Sequence, residues 1–382
     1  MKANEEVIDF LVELLKRETV TPNECGVYDL VKNVLNDFEV IEHENNGVKN
    51  LFLYKDFSLD SNESKKPHLC FAGHIDVVPS GDGWSYPPFG GVIEDSFLYG
   101  RGAQDMKGGV ASLVYALKEL KEFSGIISVL LTSDEEGIAI DGTNAMLEIL
   151  KNRDFLPHYC VLAECTSCDT LGDVMKIGRR GSISGVLKIE GIQGHAAYPH
   201  KCDNPVDKIV NILPKLSNVK LDEGNEEFSE SRIIITDIRA GMEVVNVTPK
   251  NVKIMFNVRN NPNINQDSIK EYIAKIFEGV PYTLELSQNA YPFITKSEIL
   301  TSNLSKAVFD VRGITPEQNT HGGTSDARFF SDFGVEVVEL GLKNDRIHGI
   351  DERVPLKDVI DLKKIFSTFI RYFDTQLKQI GK

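Results

Sequence analysis

Phe71-Ala72-Gly73-His74-Ile75-Asp76-Val77-Val78-Pro79 is the stretch on which the reading of this chain turns. The apolar run from Leu69 to Ala72 predicts a buried strand ending in Gly73, and a histidine and an aspartate two residues apart follow it. Alternate residues of an extended segment point the same way, so His74 and Asp76 address one site. A metal-bound imidazole usually gives its second ring N–H to a carboxylate or a carbonyl. His74 is therefore a candidate metal ligand and Asp76 its outer partner. A strand end capped by an aspartate is the plainer alternative, and the residues downstream weigh on that choice.

Downstream, Tyr99 to Gly109 (YGRGAQDMKGG) is a glycine-dense loop leading into a helical run, Val110 to Lys121. Asp105 sits where loop meets helix. It can serve as a helix cap or as a carboxylate bridging two metals. Gly125 to Thr132 reads as a buried strand of the parallel-sheet kind, and it ends in Ser133-Asp134-Glu135-Glu136-Gly137. Adjacent residues point differently, so one of Glu135 and Glu136 can bind metal while the other faces the substrate as a base. After a helix from Gly142 to Lys151, the strand His158 to Ala163 also ends in a carboxylate, Glu164. The intervals are 31 residues from His74 to Asp105, 30 from Asp105 to Glu135 and 28 from Glu136 to Glu164. Each is about one βα unit, which predicts all of these groups on one rim of one sheet, where open α/β sheets bind ligands.

Upstream, MKANEEVIDFLVELLKRE predicts an acidic amphipathic helix without the basic start and cleavage site of a signal peptide. A helix from Gly26 to Phe38, strands at Glu39 to Glu42 and Asn50 to Tyr54, and an exposed turn at Asp60 to Lys66 follow. The loop Gly81 to Gly91 holds the sole tryptophan, Trp84. A length of 382 residues allows two or three domains, and 41% hydrophobic residues supply a packed core. The formal net charge of −15 leaves no electrostatic footprint for nucleic acid. No apolar run approaches the ~20 residues that span a bilayer. A cytoplasmic protein without membrane partners is expected. The six cysteines do not form a disulfide framework, and Cys165-Thr-Ser-Cys168 lacks a second pair to complete a structural zinc site.

From Ser182 the texture changes. Strand (Ile183 to Glu190), helix (Pro205 to Leu216), strand (Arg232 to Ile238), strand (Val252 to Val258), helix (Asp267 to Phe277) and strand (Tyr282 to Leu286) give the order βαββαβ, the ferredoxin-like pattern, as an insertion. It carries His195 in a polar, glycine-flanked segment, a position where a histidine is ordinarily just exposed. The first texture returns from Thr295, with a helix from Glu298 to Asp310, a strand from Val335 to Leu340 and a long helix from Leu356 to Leu377. Gly322-Gly323-Thr324-Ser325 opens a helical segment, so its free backbone N–H groups suit an anion.

FAGHIDVVP, YGRGAQDMKGG, SDEEG, GRRGS (Gly178 to Ser182), GIQGHAAYPH, NVTP, FNVR, GGTSDARF and the pair Ile347-His348 occur in one order along nearly the whole chain. In these motifs the chain resembles the dinuclear zinc aminoacylase/carboxypeptidase-type peptidases. The resemblance implies an α/β fold, with a mixed-sheet zinc-hydrolase catalytic domain (1–180 and 294–382) and an inserted ferredoxin-like dimerisation domain (181–293). It implies two Zn²⁺, with Co²⁺ acceptable in the second site. His74 and Glu164 would hold one ion and Glu136 and His348 the other, with Asp105 bridging. Glu135 would be the general base, and Asp76 would orient His74. Arg179, Ser182, Asn246, Arg259, Gly323, Thr324 and Asn344 would contact a small-molecule substrate. His195 would arrive from the partner subunit of a homodimer as an oxyanion donor.

The implied reaction is hydrolysis of the succinyl amide of N-succinyl-LL-2,6-diaminopimelate, for whose carboxylates Arg179 and Arg259 are suited as bidentate partners. Acetylornithine-type and dipeptide substrates are the alternatives within the family, and a catalytically silent metal-binding protein is the alternative outside it. Cys165 after Glu164, Ala163 before it, Ala327 before Arg328, Arg346 before His348 and the region Asp237 to Val245 depart from the family pattern. They touch the lining more than the ligands.

Overall fold

The strand expected at Leu69 to Ala72 runs His68–His74, and all seven of its residues are buried. The structure is a computed structural model that describes residues 2–58 and 66–380. The polar turn expected at Asp60 to Lys66 lies outside them, apart from its last residue. His68–His74 pairs in parallel with Ile126–Thr132 on one side and Tyr159–Leu162 on the other. A strand covered on both faces and both edges has no polar side to show, which is why its sequence is nearly continuous in apolar residues.

The chain forms two compact units, Met1–Gly178 with Thr295–Asn319 and Ser325–Lys382, and Arg179–Ile294 with Thr320–Thr324. The first is built on an eight-stranded mixed sheet. Its order is Glu39–Asn45, Val48–Asp56, Ile126–Thr132, His68–His74, Tyr159–Leu162, Glu336–Glu339, Val174–Lys176, Glu317–Asn319. The first two strands form a hairpin longer than the sequence reading expected, closed by Asn46-Gly47 with φ of 48° and 83°. Asn-Gly tolerates the left-handed conformation at both positions, and that turn twists with the strands it joins. Short strands Val92–Glu94, Phe97–Tyr99 and Arg353–Pro355, which lack a long apolar run to announce them, form a separate small sheet.

The helix Lys107–Lys118 is buried at every residue from Lys107 to Leu117. Two glycines make that burial feasible. A Cβ on Gly108 would lie 2.5 Å from the Ala103 carbonyl oxygen, and one on Gly109 would lie 2.3 Å from that of Ala163. The helix is thereby pressed against the end of the strand that leads to Glu164. The long helix Leu356–Ile380 buries Phe366, Phe369 and Phe373. Phe366 and Phe369 meet Phe71 edge-on, with centroids 5.5 and 6.3 Å away. Each such ring stabilises the core by roughly 1.5–3 kcal/mol.

The second unit is a five-stranded antiparallel sheet, in the order Val219–Lys220, Arg232–Ala240, Asn251–Arg259, Ser182–Glu190, Thr283–Ala290. Its core gathers Ile183, Leu187, Ile254, Phe256, Ile269 and Ile273. One expectation fails here. The helix predicted from Pro205 to Leu216 stops at Ile209, and only a short turn, Leu213–Lys215, follows. Pro214 has no N–H to donate and its ring would meet the carbonyl of Val210, so the helix cannot run through it.

Candidate metal centre

Three parallel strands deliver the cluster. His74 is the last residue of His68–His74, opposite Thr132. Glu135 and Glu136 lie in the turn just past Ile126–Thr132, and Glu164 lies two residues past Tyr159–Leu162. Because these strands run the same way, their carboxyl ends share one edge of the sheet. Asp105 comes from the loop before Lys107–Lys118. His348 comes from the loop after Glu336–Glu339, itself parallel to Tyr159–Leu162, and it adopts φ 59°.

These residues converge. His74 Nε2 lies 3.2 Å from Asp105 Oδ1, 3.7 Å from Glu164 Oε1 and 3.9 Å from Glu135 Oε2. His348 Nε2 lies 2.8 Å from Glu136 Oε1 and 3.4 Å from Asp105 Oδ2. The two oxygens of Asp105 thus face different imidazoles, which is the geometry of a bridge. Glu135 and Glu136, neighbours in sequence, turn to opposite imidazoles.

The outer contacts refine the expectation for Asp76. The Nδ1 of His74 lies 2.9 Å from the backbone oxygen of Asp76, and the nearest carboxylate oxygen of Asp76 is 3.6 Å away. The carbonyl therefore fixes the ring. The strand ends at His74, so the alternation that would have aimed the carboxylate there no longer applies. The Asp76 carboxylate instead accepts from the Thr21 hydroxyl at 2.6 Å and from the backbone N–H groups of Glu135 and Glu136 at 3.3 and 3.1 Å. It holds the acidic turn rather than the imidazole.

The electrostatics follow from packing carboxylates around a buried imidazole, His74, and a half-exposed one, His348. Burial opposes a charge on His74, but Asp105, Glu164, Glu135 and Asp76 together hold its pKa well above the usual imidazole range. Hydrogen bonds with Asp105 and Glu136 push His348 up to about 10. Burial raises Asp105, and its bonds to both imidazoles more than reverse this, leaving it well below the usual carboxylate range. Burial also lifts Glu135 well above that range, with Glu164, Asp326 and Asp105 adding and His74 opposing. Asp326, within the motif GGTSDARF, is pushed up to about 6 by burial. Its Oδ2 accepts from the Thr143 hydroxyl at 2.7 Å.

Such a set fits divalent cations. Two imidazoles and four carboxylates are the nitrogen and oxygen donors that zinc-type ions take. The trios His74/Asp105/Glu136, His74/Glu135/Glu164 and Asp105/Glu164/Cys165 each bring their donor atoms within 4.8 Å of one another. Cys165 Sγ lies 4.0 Å from Glu164 Oε2, while Cys168 is exposed and neither is in a disulfide. Asn344 is held in the first unit by its backbone N–H to Ser167 O at 3.0 Å.

The other expected substrate contacts belong to the second unit. Arg179, nearly buried, donates to the carbonyls of His321 and Gly323 at 3.2 and 3.4 Å, and Thr324 directly follows the second of these. The Ser182 hydroxyl accepts from Asn257 at 2.9 Å. Arg259 ends its strand opposite Arg232. Asn246 is exposed and its carbonyl accepts from Ala196 N–H at 2.9 Å. His195 is exposed, pairs with Val247 and accepts from Ala197 N–H at its Nδ1, 3.1 Å away. Two buried groups escaped the sequence reading: Glu352, four residues past His348, and Arg101, in the glycine-dense loop before Asp105.

A family model described as peptidase family M20/M25/M40 matches residues 70–372. The succinyl-diaminopimelate desuccinylase of Helicobacter hepaticus is 51% identical over 382 residues, covering 96% of this chain and 97% of that protein. The protein of the same name from Wolinella succinogenes is 50% identical over 360 residues, covering 94% and 97%. Among solved structures, a tripeptidase of Staphylococcus aureus superposes with a TM-score of 0.79 at 18% identity, over 98% of this chain and 99% of that one. A Bacillus subtilis protein described as a dinuclear metal binding peptidase from the M20 family gives 0.72 at 13% identity, over 97% and 98%. These structural likenesses show the fold.

Proposed function

The chain belongs to peptidase family M20/M25/M40, and we propose that it removes succinate from N-succinyl-LL-2,6-diaminopimelate to give LL-2,6-diaminopimelate, a step toward lysine and cell-wall precursors. One observation carries the hydrolytic part of this reading: His74, Asp105, Glu135, Glu136, Glu164 and His348 converge at one sheet edge. The substrate follows from relatives that are 50 and 51% identical over nearly the full chain and are named for that reaction. They favour it over acetylornithine-type or dipeptide substrates and over a silent metal-binding protein.

In this reading the ions are zinc, with cobalt acceptable in the second site. His74 and Glu164 would hold one, Glu136 and His348 the other, and Asp105 would reach both. Ions bound there would act as Lewis acids and lower the pKa of a bound water toward ~7. The protein's own part centres on Glu135, whose carboxylate stands 3.9 Å from His74 Nε2 and is not needed as a ligand in this reading. It takes the proton of the attacking water and delivers it to the leaving amine, work of a kind that contributes roughly 10²–10⁴-fold. Asp76 keeps Glu135 in place through the backbone of its turn and keeps His74 in place through its own carbonyl.

Arg179 and Arg259 bind substrate carboxylates, supported by Ser182, Asn246, Gly323, Thr324 and Asn344. In a homodimer formed through 181–293, the partner subunit's His195 donates to the oxyanion. The exposed apolar side chains of this segment, Ile192, Val210, Ile238, Met242 and Val245, suit such an interface. Among the described residues no helix is long and apolar enough to cross a membrane, and we assign the protein to the cytoplasm, where biosynthesis of a free amino acid runs. The test is hydrolysis by the zinc-loaded protein of succinyl-diaminopimelate, acetylornithine and dipeptides, side by side. Preferential turnover of the succinyl substrate supports the proposal, and faster turnover of either competitor overturns it. Sedimentation as a monomer would remove His195 from the mechanism.

A further inference from the structure

We propose that Glu352 is a positioning residue of this centre, and that with Arg101 it sets Asp105 and the loop of His348 in place before any ion binds. The inference rests on the reading of Asp105 and His348 as ligands.

Glu352 has no exposure to solvent. Its Oε1 accepts from the backbone N–H groups of Gln104 and Asp105 at 2.8 and 3.1 Å. Its Oε2 accepts from Gly102 N–H at 3.0 Å and from Arg101 Nη1 at 2.7 Å. A carboxylate offers about four acceptor positions, and here donors of one loop, the loop that carries Asp105, take all of them. Charge-assisted bonds of this kind are roughly twice as strong as neutral ones.

The same device reaches His348. Arg101 Nη2 donates to the backbone oxygens of Ser80 and His348 at 3.2 and 3.3 Å, and its guanidinium lies 5.2 Å from the Trp84 ring. Gln104 adds a second tie, since its Nε2 donates to Asp345 at 2.8 Å and its Oε1 accepts from Arg346 N–H at 3.0 Å. Strand pairing of Tyr99 with Arg353 frames both. A buried Arg–Glu pair is weak evidence of stability, because desolvating the two ions offsets their attraction. What distinguishes this pair is where its bonds go: to the amide of Asp105, to the amides beside it, and to the carbonyl of His348.

Glu352 therefore acts on the His348 side twice, through Asp105 and through Arg101, and on the His74 side once. The test combines zinc titration calorimetry on the full chain with hydrogen exchange of the zinc-free protein. In E352Q the amide group faces donors that now need an acceptor. The weaker of two zinc affinities should fall about 10–100-fold, the loss typical for an outer partner of a ligand, and the tighter should fall less. R101K keeps the amide cradle but loses the fork to His348, so it should weaken only the weaker site. In the zinc-free wild type, the amides of Gly102, Gln104 and Asp105 should already exchange slowly, and zinc should not slow them further.

Unchanged zinc affinities in folded E352Q and R101K overturn the proposal. If E352Q does not fold, wild-type affinities in R101K overturn it, as do amides that become slow only when zinc is added. A wild-type chain that binds fewer than two zinc ions would instead sink the ligand reading, and this inference with it.

Discussion

The two halves of the candidate centre are built differently. The half around His74 and Glu164 grows from adjacent parallel strands: His74 is 1% exposed, and its ring is fixed by a carbonyl two residues away in sequence. The half around His348 is assembled by a loop. His348 is 49% exposed, holds a positive φ, and depends on partners more than two hundred residues away, Glu136 and Arg101. Strand register makes the first half rigid because moving one ligand would break a ladder of backbone hydrogen bonds. The second half depends on side chains that fasten loops together. The difference predicts one tight, slowly exchanging ion and one weaker ion.

The largest effect should come from Glu135, which faces the His74 half. Glu135→Ala should lower kcat by at least the roughly 10²–10⁴-fold that a general acid–base supplies, with zinc content unchanged by elemental analysis. Near-normal turnover would show that Glu135 is not the base, and lost zinc would make it a ligand of the first half. Next in size is the contrast between the imidazoles. His348→Ala should retain one zinc per chain, whereas His74→Ala should lose the tight ion and weaken the other through Asp105. Equal stoichiometry in the two variants would erase the asymmetry.

The pH dependence sharpens the same contrast at smaller amplitude. His348 rises from an ordinary 6.5 to about 10 in the zinc-free fold. Its protonated form therefore contributes stability that is fully present below pH 6.5 and is lost as the pH climbs through 10. The Tm of the zinc-free protein should fall across that window, and His348→Ala should flatten the fall. Because the ion must displace that proton, zinc affinity should rise over the same range, and calorimetry in buffers of different ionisation heat should detect the protons released. The smallest effect is expected for Thr21→Ala, which removes the hydroxyl bond to Asp76. A bond to a charged group is worth about 1.5–3 kcal/mol of stability, and zinc affinity should hold. Loss of zinc in that variant would mean that the acidic turn is less firmly set than its two backbone bonds imply.

Much of the first half was legible in the chain. Apolar runs ending in His74, Glu135-Glu136 and Glu164 at intervals of one βα unit are enough to place those residues on one edge, because parallel strands separated by helices leave little choice. In the second half, Glu136 is legible at its strand end, whereas His348 is legible only through the resemblance, since nothing local links it to the strands. Asp76 was picked out as the partner of His74, and its backbone oxygen is what meets the ring, a distinction that a residue type cannot carry. Glu352 and Arg101 went unread, because a buried Glu–Arg pair far apart in sequence has no periodicity to betray it. The apolar spacing from Pro205 to Leu216 predicts a longer helix than forms, because Pro214 cannot continue it.

By itself, then, the sequence settled the buried strands that end at His74, Glu135-Glu136 and Glu164, and the change of pattern at Ser182 that predicts an insertion. These are consequences of short-range periodicity and backbone geometry. Only the tertiary structure decided which oxygen of Asp105 faces which imidazole, that the Asp76 carboxylate serves the acidic turn, and that Glu352 gathers the Asp105 loop. Those depend on atoms brought together across hundreds of residues, where a shift of one ångström changes the hydrogen-bond partner and the amino-acid letters stay the same.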